Sequence, residues 1–179
     1  AAAALLIVTG LVCTTPSMAE QLHSMSDFPS NMKLALRDDD FVMDLQRSFA
    51  EKDVVMLYKL NNWRFILTVQ PETMLGYGSE AYFVSRAGAE KMHFAQMDFQ
   101  AGSFRSTSML GHLDWDAGAK ELSSKICNDA PPHGCTRAIY RYVGSTFNLM
   151  RIEYSQIGSP QWTPVWRAAP IERTPVENH

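Results

Sequence analysis

The sequence predicts a single α+β domain, built mainly on an antiparallel meander sheet of about seven strands, with two helices and a disulfide-closed loop. Runs of alternating apolar and polar residues follow one another with connections of about two residues, and connections that short favour antiparallel pairing. Two stretches instead have helical spacing. The long alternation of strands and helices seen in nucleotide-binding α/β folds is missing, as is their glycine-rich turn from strand to helix.

The first nineteen residues have the pattern of a signal peptide. Residues 1–12 form an apolar run, and Ser17-Met18-Ala19 places small residues where signal peptidase reads them. A basic segment and an initiator Met are missing, so we expect the sequence to begin inside the signal peptide. An alternative is a short membrane anchor, but the run is too short to span hydrocarbon, and we expect no stable membrane insertion. We expect a periplasmic or secreted domain of residues 20–179, cleaved after Ala19.

Charge and cysteine content narrow the class of protein further. The formal net charge is −3 and no cluster of Lys and Arg occurs, so we expect no nucleic-acid partner. If Cys13 leaves with the signal peptide, Cys127 and Cys135 remain, and in an exported chain they predict one disulfide. Two reduced, buried cysteines are the alternative if the chain is not exported. Closing a loop of about nine residues stabilises by about 2.5 kcal/mol, so the bridge shapes the loop more than it holds the fold.

The domain begins with a polar stretch and a helix. Residues 24–31 contain a proline and are predicted to form an extended arm. From Asp38-Asp39-Asp40 the spacing is helical, with Phe41, Leu45 and Phe49 on one side. The aspartates suit the start of a helix because its N-terminus carries a partial positive charge.

Two strands, residues 53–60 and 63–70, are predicted on either side of a two-residue turn at Asn61-Asn62. The second strand alternates in character, which is typical of a strand with one buried and one exposed face. Its predicted buried face holds Trp63, Phe65, Leu67 and Val69, close to the first helix, and its predicted exposed face holds Arg64, Thr68 and Gln70.

The remaining elements complete the predicted meander. We expect a second helix from Asp116 to Ile126, with Leu122 and Ile126 on one face, and an irregular strap from about residue 157 that holds Trp162 and Trp166 among prolines. The predicted strands are residues 80–87, 91–100, 106–115, 136–143 and 147–155.

Candidate catalytic residues are few. The five histidines include no pair at metal-ligand spacing and no His-Glu-x-x-His motif, so we expect no metal site and no cofactor. His112 and Asp114 lie two apart on a predicted strand and therefore on one face, where the carboxylate could orient the imidazole as a general base. A small exported enzyme using this pair is one interpretation. The other is that Asp114 and Asp116 end a strand and start a helix.

The most specific stretch is the loop from Cys127 to Cys135. Its two prolines fix φ, and Gly134 permits a positive φ before the second cysteine. A loop restrained in this way loses little entropy on binding. We therefore predict a binding loop with His133 near its tip, supported by Asp129, Pro132 and Gly134. A second interpretation stays open, in which the bridge only fastens a corner between helix and strand.

The residues Pro132-His133-Gly134-Cys135 resemble the Pro-His-Asp-Cys end of the loop Cys-Lys-Pro-His-Asp-Cys in Ivy-type lysozyme inhibitors. Those are periplasmic α+β proteins whose loop plugs the active cleft of a lysozyme. The loop here is longer, and Gly134 stands where that family has an acidic residue. The resemblance implies an inhibitory or toxin-immunity protein whose partner is another protein, a cell-wall-acting enzyme or toxin; the oligomeric state is left open.

Overall fold

The structure, a computed structural model, describes residues 19–32, 35–72, 78–98, 101–128 and 133–169. These residues form twelve strands, one α-helix and three short 3-10 turns. The helix is α1 (Asp39–Ala50), and the 3-10 turns are Met25–Asp27, Ser30–Met32 and Ala35–Arg37. The strands are β1 (Ala19–Leu22), β2 (Val54–Lys59), β3 (Arg64–Gln70), β4 (Glu80–Ser85), β5 (Gly88–Lys91), β6 (Phe94–Asp98), β7 (Ser103–Thr107), β8 (His112–Asp116), β9 (Glu121–Asn128), β10 (Gly134–Val143), β11 (Thr146–Ser155) and β12 (Thr163–Arg167).

The strands form two five-stranded antiparallel sheets and one separate hairpin. The first sheet takes β1 to β5 in chain order, the second takes β8 to β12 in chain order, and β6 pairs with β7 between them. Each large sheet is therefore a meander, as short connections predict. Helix α1 packs on one face of the first sheet, and the second sheet packs on the other face, so the first sheet is the middle layer.

The predicted fold class is wrong, because the described chain is mainly β with a single α-helix rather than α+β with two helices and about seven strands. The predicted second helix, from Asp116 to Ile126, is a turn followed by β9. Leu122 and Ile126 are four residues apart, which suits one face of a helix and equally one face of a strand. Leu122 and Ser124 are both buried, which is the two-residue repeat of a strand.

Several strands have boundaries that differ from the predicted ones. The predicted strand at residues 91–100 contributes to both β5 and β6, and the one at 106–115 contributes to both β7 and β8. The segment predicted as an extended arm holds two 3-10 turns, and the segment predicted as an irregular strap contains β12, which pairs with β11. Strand β12 is a short edge strand with few apolar residues. The alternation of apolar and polar residues that identifies a strand is therefore weak there.

The predicted signal peptide lies outside the described residues apart from Ala19, which begins β1 and pairs with Tyr58 of β2. Export and cleavage after Ala19 stay a prediction. Within the described ranges, no helix is long and apolar enough to cross a membrane.

Helix α1 forms where the sequence predicts it. Asp38 caps its N-terminus by accepting a hydrogen bond from the Phe41 amide at 3.2 Å, which satisfies one of the free N–H groups of the first turn. Phe41 and Leu45 are buried against the first sheet, and Phe49 is partly buried there. The predicted contact between the apolar side of the helix and the sheet is confirmed.

Strand β3 is buried on both faces. Phe65, Leu67 and Val69 lie in the core under α1, as predicted. Thr68 and Gln70 are also buried, so the prediction that their face meets solvent is wrong. The second sheet covers that face, and the Gln70 side-chain oxygen accepts a hydrogen bond from the Leu113 amide of β8 at 3.0 Å.

Trp63 precedes β3 and was predicted to be buried, but 52% of its surface is exposed. It lies in the turn before the strand, where the Arg86 guanidinium stacks on its ring at 3.5 Å. The contact is a cation–π interaction at the surface and contributes about 0.5–1 kcal/mol.

The two sheets enclose a second core between their facing sides. Phe147 of β11 is partly buried against this core and contacts four other aromatic rings at centroid distances of 5.3 to 6.1 Å. Those rings are Phe83, Phe94, Trp115 and Tyr142. Aromatic pairs of this geometry contribute beyond their buried area, so this cluster fixes how the second sheet sits on the first.

Candidate functional site

The hairpin of β9 and β10 extends past β8 on one side, while β11 runs beside β10 as far as Cys135 on the other. The last pair between β8 and β9 joins His112 to Lys125, whereas β9 continues to Asn128, which pairs with Gly134. At about 3.3 Å per residue, β9 passes the start of β8 by about 10 Å. We call Cys127, Asn128, His133, Gly134 and Cys135, with the connecting residues 129–132, the hairpin tip.

The predicted disulfide is confirmed. Cys127 and Cys135 are directly opposite each other on β9 and β10, with an S–S distance of 2.04 Å and Cα atoms 4.0 Å apart. The bridge joins two strands rather than a helix and a strand, so the predicted helix-to-strand corner does not exist. The bond closes the hairpin at its base and limits the conformations of residues 128–134.

Tyr154 of β11 fastens the base of the hairpin tip from the neighbouring strand. Its hydroxyl donates a hydrogen bond to the His133 carbonyl at 3.0 Å. Its ring lies against the Cα of Gly134, where a Cβ would overlap the ring carbons and the hydroxyl. Gly134 is buried and its φ is not in the left-handed region, so the close approach of Tyr154, and not a positive φ, requires glycine here.

The predicted binding residues are only partly described. Asp129 and Pro132 lie outside the described residues. His133 is exposed, and its carbonyl is held by Tyr154. The sequence identifies the cysteines and His133 but not Tyr154, which lies 21 residues after His133 in the predicted strand of residues 147–155.

The alternative catalytic pair lies on β8. His112 and Asp114 share one exposed side of the strand, as their spacing predicts, but the described residues include no hydrogen bond between them. Asp114 lines a small cavity of about 180 Å³ on the outer face of the second sheet, which His112 does not line. Burial raises the pKa of Tyr58, and the charge of Asp114 adds to that effect. The pair thus has the shared face that a general base needs, without the contact that would orient it.

The same outer face carries a network of ion pairs that the sequence analysis did not identify. Arg137 and Arg151 both contact Glu153, at 2.6 and 3.0 Å, and Arg151 continues to Glu121 at 3.4 Å. Arg141 contacts Glu121 from the other side at 2.6 Å. A signal was present, since Arg151 and Glu153 are two residues apart in the predicted strand of residues 147–155 and therefore share one face.

The network of ion pairs lowers the pKa of Glu153, the carboxylate that two of its arginines contact. Burial raises the pKa of Glu153, but the hydrogen bonds and charges of Arg137 and Arg151 outweigh burial, so the pKa is lowered overall. Trp162 packs over the Arg137 guanidinium at 4.3 Å and shields one end of the network. Its arginines are already in ion pairs with residues of the same sheet. We therefore interpret the network as structural, since it joins β9, β10 and β11.

Among the described residues, no group of three or more His, Cys, Asp or Glu side chains is placed to hold a metal ion. Comparisons with protein-family models, curated proteins and solved structures find no match for this chain. The resemblance to Ivy-type inhibitors therefore rests on the loop residues alone and stays a prediction.

Proposed function

We propose that the protein is a periplasmic or secreted binding protein that uses the hairpin tip to block a partner enzyme, in the manner of a lysozyme inhibitor or a toxin-immunity protein. The observation that carries the proposal is the projection of β9 and β10 past β8, closed by the Cys127–Cys135 bridge. A hairpin end that runs past the neighbouring strand suits insertion into an enzyme cleft, whereas a substrate site is normally concave.

The base of the hairpin tip is restrained before any partner binds. The bridge joins its two strands, and the Tyr154 hydroxyl holds the His133 carbonyl. Restraint of this kind reduces the ordering cost of association and so increases affinity. A disulfide also forms and persists in oxidising compartments, which supports the proposed location outside the cytoplasm.

His133 is the proposed anchor residue. It is exposed at the tip, its imidazole can donate and accept hydrogen bonds, and its backbone is fixed by Tyr154. Interface energy usually concentrates in few residues. Asp129, one of the connecting residues of the tip, is proposed to add a hydrogen bond or a steering charge, with Pro132 limiting the conformations of the loop.

The test measures inhibition and binding of purified cell-wall hydrolases, beginning with a c-type lysozyme and a lytic transglycosylase, by the oxidised protein. We expect His133→Ala to weaken binding by about 2 kcal/mol or more, about 30-fold, with an unchanged melting temperature because the side chain is exposed. His112→Ala is the matched control, since it removes an exposed histidine from the adjacent strand β8, about 10 Å before the end of β9.

Three outcomes would contradict the proposal. If none of the hydrolases is bound, the proposed partner class is wrong. If His133→Ala lowers the melting temperature strongly and binding falls only in proportion, the tip is a structural feature. If His112→Ala abolishes a hydrolytic activity while His133→Ala does not affect it, the protein is the small exported enzyme of the alternative interpretation.

A further inference from the structure

A cleft opens between the two large sheets at the end opposite the hairpin tip. One wall is formed by β3, β4 and β5 of the first sheet, and the other by the turn between β10 and β11. Its volume is about 480 Å³, which is within the range of sites that bind small molecules. We call it the inter-sheet cleft. The lining residues that matter here are Arg64, Phe83, Ser85, Glu90, Ser145 and Thr146.

Arg64 brings a positive charge to the cleft that no described carboxylate neutralises. The one hydrogen bond that its guanidinium makes among the described residues runs from Nη1 to the Tyr142 hydroxyl at 3.4 Å. The three arginines on the outer face of the second sheet are all in ion pairs. A guanidinium has five N–H donors in a planar fork that matches a carboxylate, so Arg64 retains donors for an anionic group.

Glu90 brings the opposite charge to another part of the same cleft. It is exposed, and it makes no ion pair with the described cations. Arg64 aligns with Ser85 on β4, whereas Glu90 of β5 pairs with Phe83, two residues further along. With strands about 4.8 Å apart and about 3.3 Å per residue, the Cα atoms of Arg64 and Glu90 are about 12 Å apart.

Phe83 lies between the two charges and supplies an apolar wall. Its ring is half-buried and stacks on Phe147 with centroids 5.7 Å apart. Because the aromatic cluster fixes the ring, its accessible side is a rigid surface. The cleft therefore combines a cation, an anion and an aromatic ring, with Ser145 and Thr146 on the opposite wall.

We propose that the inter-sheet cleft binds a zwitterionic ligand of dipeptide size. Its carboxylate would contact Arg64, its ammonium group would contact Glu90, and an apolar side chain would pack on Phe83. An extended dipeptide is about 7 Å long, which is shorter than the distance of about 12 Å between the Cα atoms of Arg64 and Glu90, so the two side chains reach across the difference. A neutral sugar would use neither charge, and a simple anion would leave Glu90 unpaired.

The test is calorimetric titration of the oxidised protein with the dipeptide Ala-Phe, its N-acetyl form and its C-terminal amide. We expect saturable binding of the free dipeptide and about tenfold or greater weakening by either blocking group, because each removes a charge-assisted hydrogen bond. Arg64→Gln should weaken binding similarly and abolish the preference for acid over amide. Glu90→Gln should instead abolish the preference for the free amine over the acetylated form.

Arg86→Gln is the matched control, because it removes an exposed arginine that stacks on Trp63 and is not in the cleft lining. It should leave the dipeptide affinity unchanged. The proposal is overturned if Ala-Phe does not bind saturably, if acid and amide bind equally well, or if Arg86→Gln weakens binding as much as Arg64→Gln. Denaturation midpoints equal to that of the parent protein establish that the exposed-site variants are folded.

Discussion

Gly134→Ala should destabilise the protein by about 3 kcal/mol because of the Tyr154 ring, and not because of backbone conformation. An added Cβ would overlap three atoms of the Tyr154 side chain, which must then move. Overpacking of this kind costs about 1–3 kcal/mol. Moving the ring also breaks the hydrogen bond from its hydroxyl to the His133 carbonyl, which contributes about 1 kcal/mol.

The effect should disappear when the ring is removed. In a Tyr154→Ala background the space beside residue 134 is open, and φ there is not in the left-handed region. Gly134→Ala should then be neutral or stabilise by up to about 1 kcal/mol, since alanine reduces the entropy of the unfolded chain. Gly144→Ala is the control: its φ is +67° and nothing lies within 4 Å of an added Cβ, so it should cost about 1 kcal/mol in both backgrounds.

Urea denaturation of the four members of the cycle, each with its disulfide intact, gives the coupling free energy directly. We expect the two substitutions to be coupled by about 3 kcal/mol. If Gly134→Ala destabilises equally in both backgrounds, glycine is needed for its backbone conformation, as the sequence alone suggested, and the proposed contact with Tyr154 is wrong.

Two further predictions concern the core and the ion-pair network. Phe65→Ala should lower the free energy of unfolding by about 3–5 kcal/mol in chemical denaturation, because Phe65 is 8% exposed and lies under α1. Trp63→Ala should lower it by about 1 kcal/mol or less, because Trp63 is exposed. Equal losses of stability in the two variants would contradict the burial pattern. Because the pKa of Glu153 is lowered in the folded protein, its carboxylate stabilises the fold above its unfolded pKa of about 4.3, and this contribution is lost as pH falls through the folded value. Glu153→Gln should therefore be less stable than the parent at pH 7, and the gap in denaturation midpoint should close in strong acid. A gap that stays constant with pH would exclude the charge network as its cause.

The sequence predicts those parts of the fold whose signals are local. The cap at Asp38 and the apolar spacing of Phe41 and Leu45 lie within one helix, and they identify α1 correctly. The cysteines identify the disulfide, because Cys127 and Cys135 are the two that the sequence places after the predicted signal peptide. The alternation of Phe65, Leu67 and Val69 identifies the helix-facing side of β3.

The parts that were missed depend on contacts distant in sequence. Thr68 and Gln70 are polar, so a single strand gives no reason to bury them; they are buried because the second sheet covers β3 and Gln70 accepts a hydrogen bond from Leu113. In β9, Leu122 and Ile126 fit both a helical and a strand period, and only pairing with β8 and β10 decides between them. The role of Gly134 likewise depends on Tyr154, twenty residues later in the sequence.

The hairpin tip and the inter-sheet cleft lie at opposite ends of one strand, and this separation makes the two proposals independent. Strand β10 begins at Gly134 in the tip and ends at Val143, next to the turn that lines the cleft. At about 3.3 Å per residue the two sites are about 30 Å apart. A partner enzyme held at the tip would not occupy the cleft, so a dipeptide should bind equally well to the free protein and to the complex. His133→Ala should accordingly leave the dipeptide affinity unchanged, and Arg64→Gln should leave inhibition unchanged.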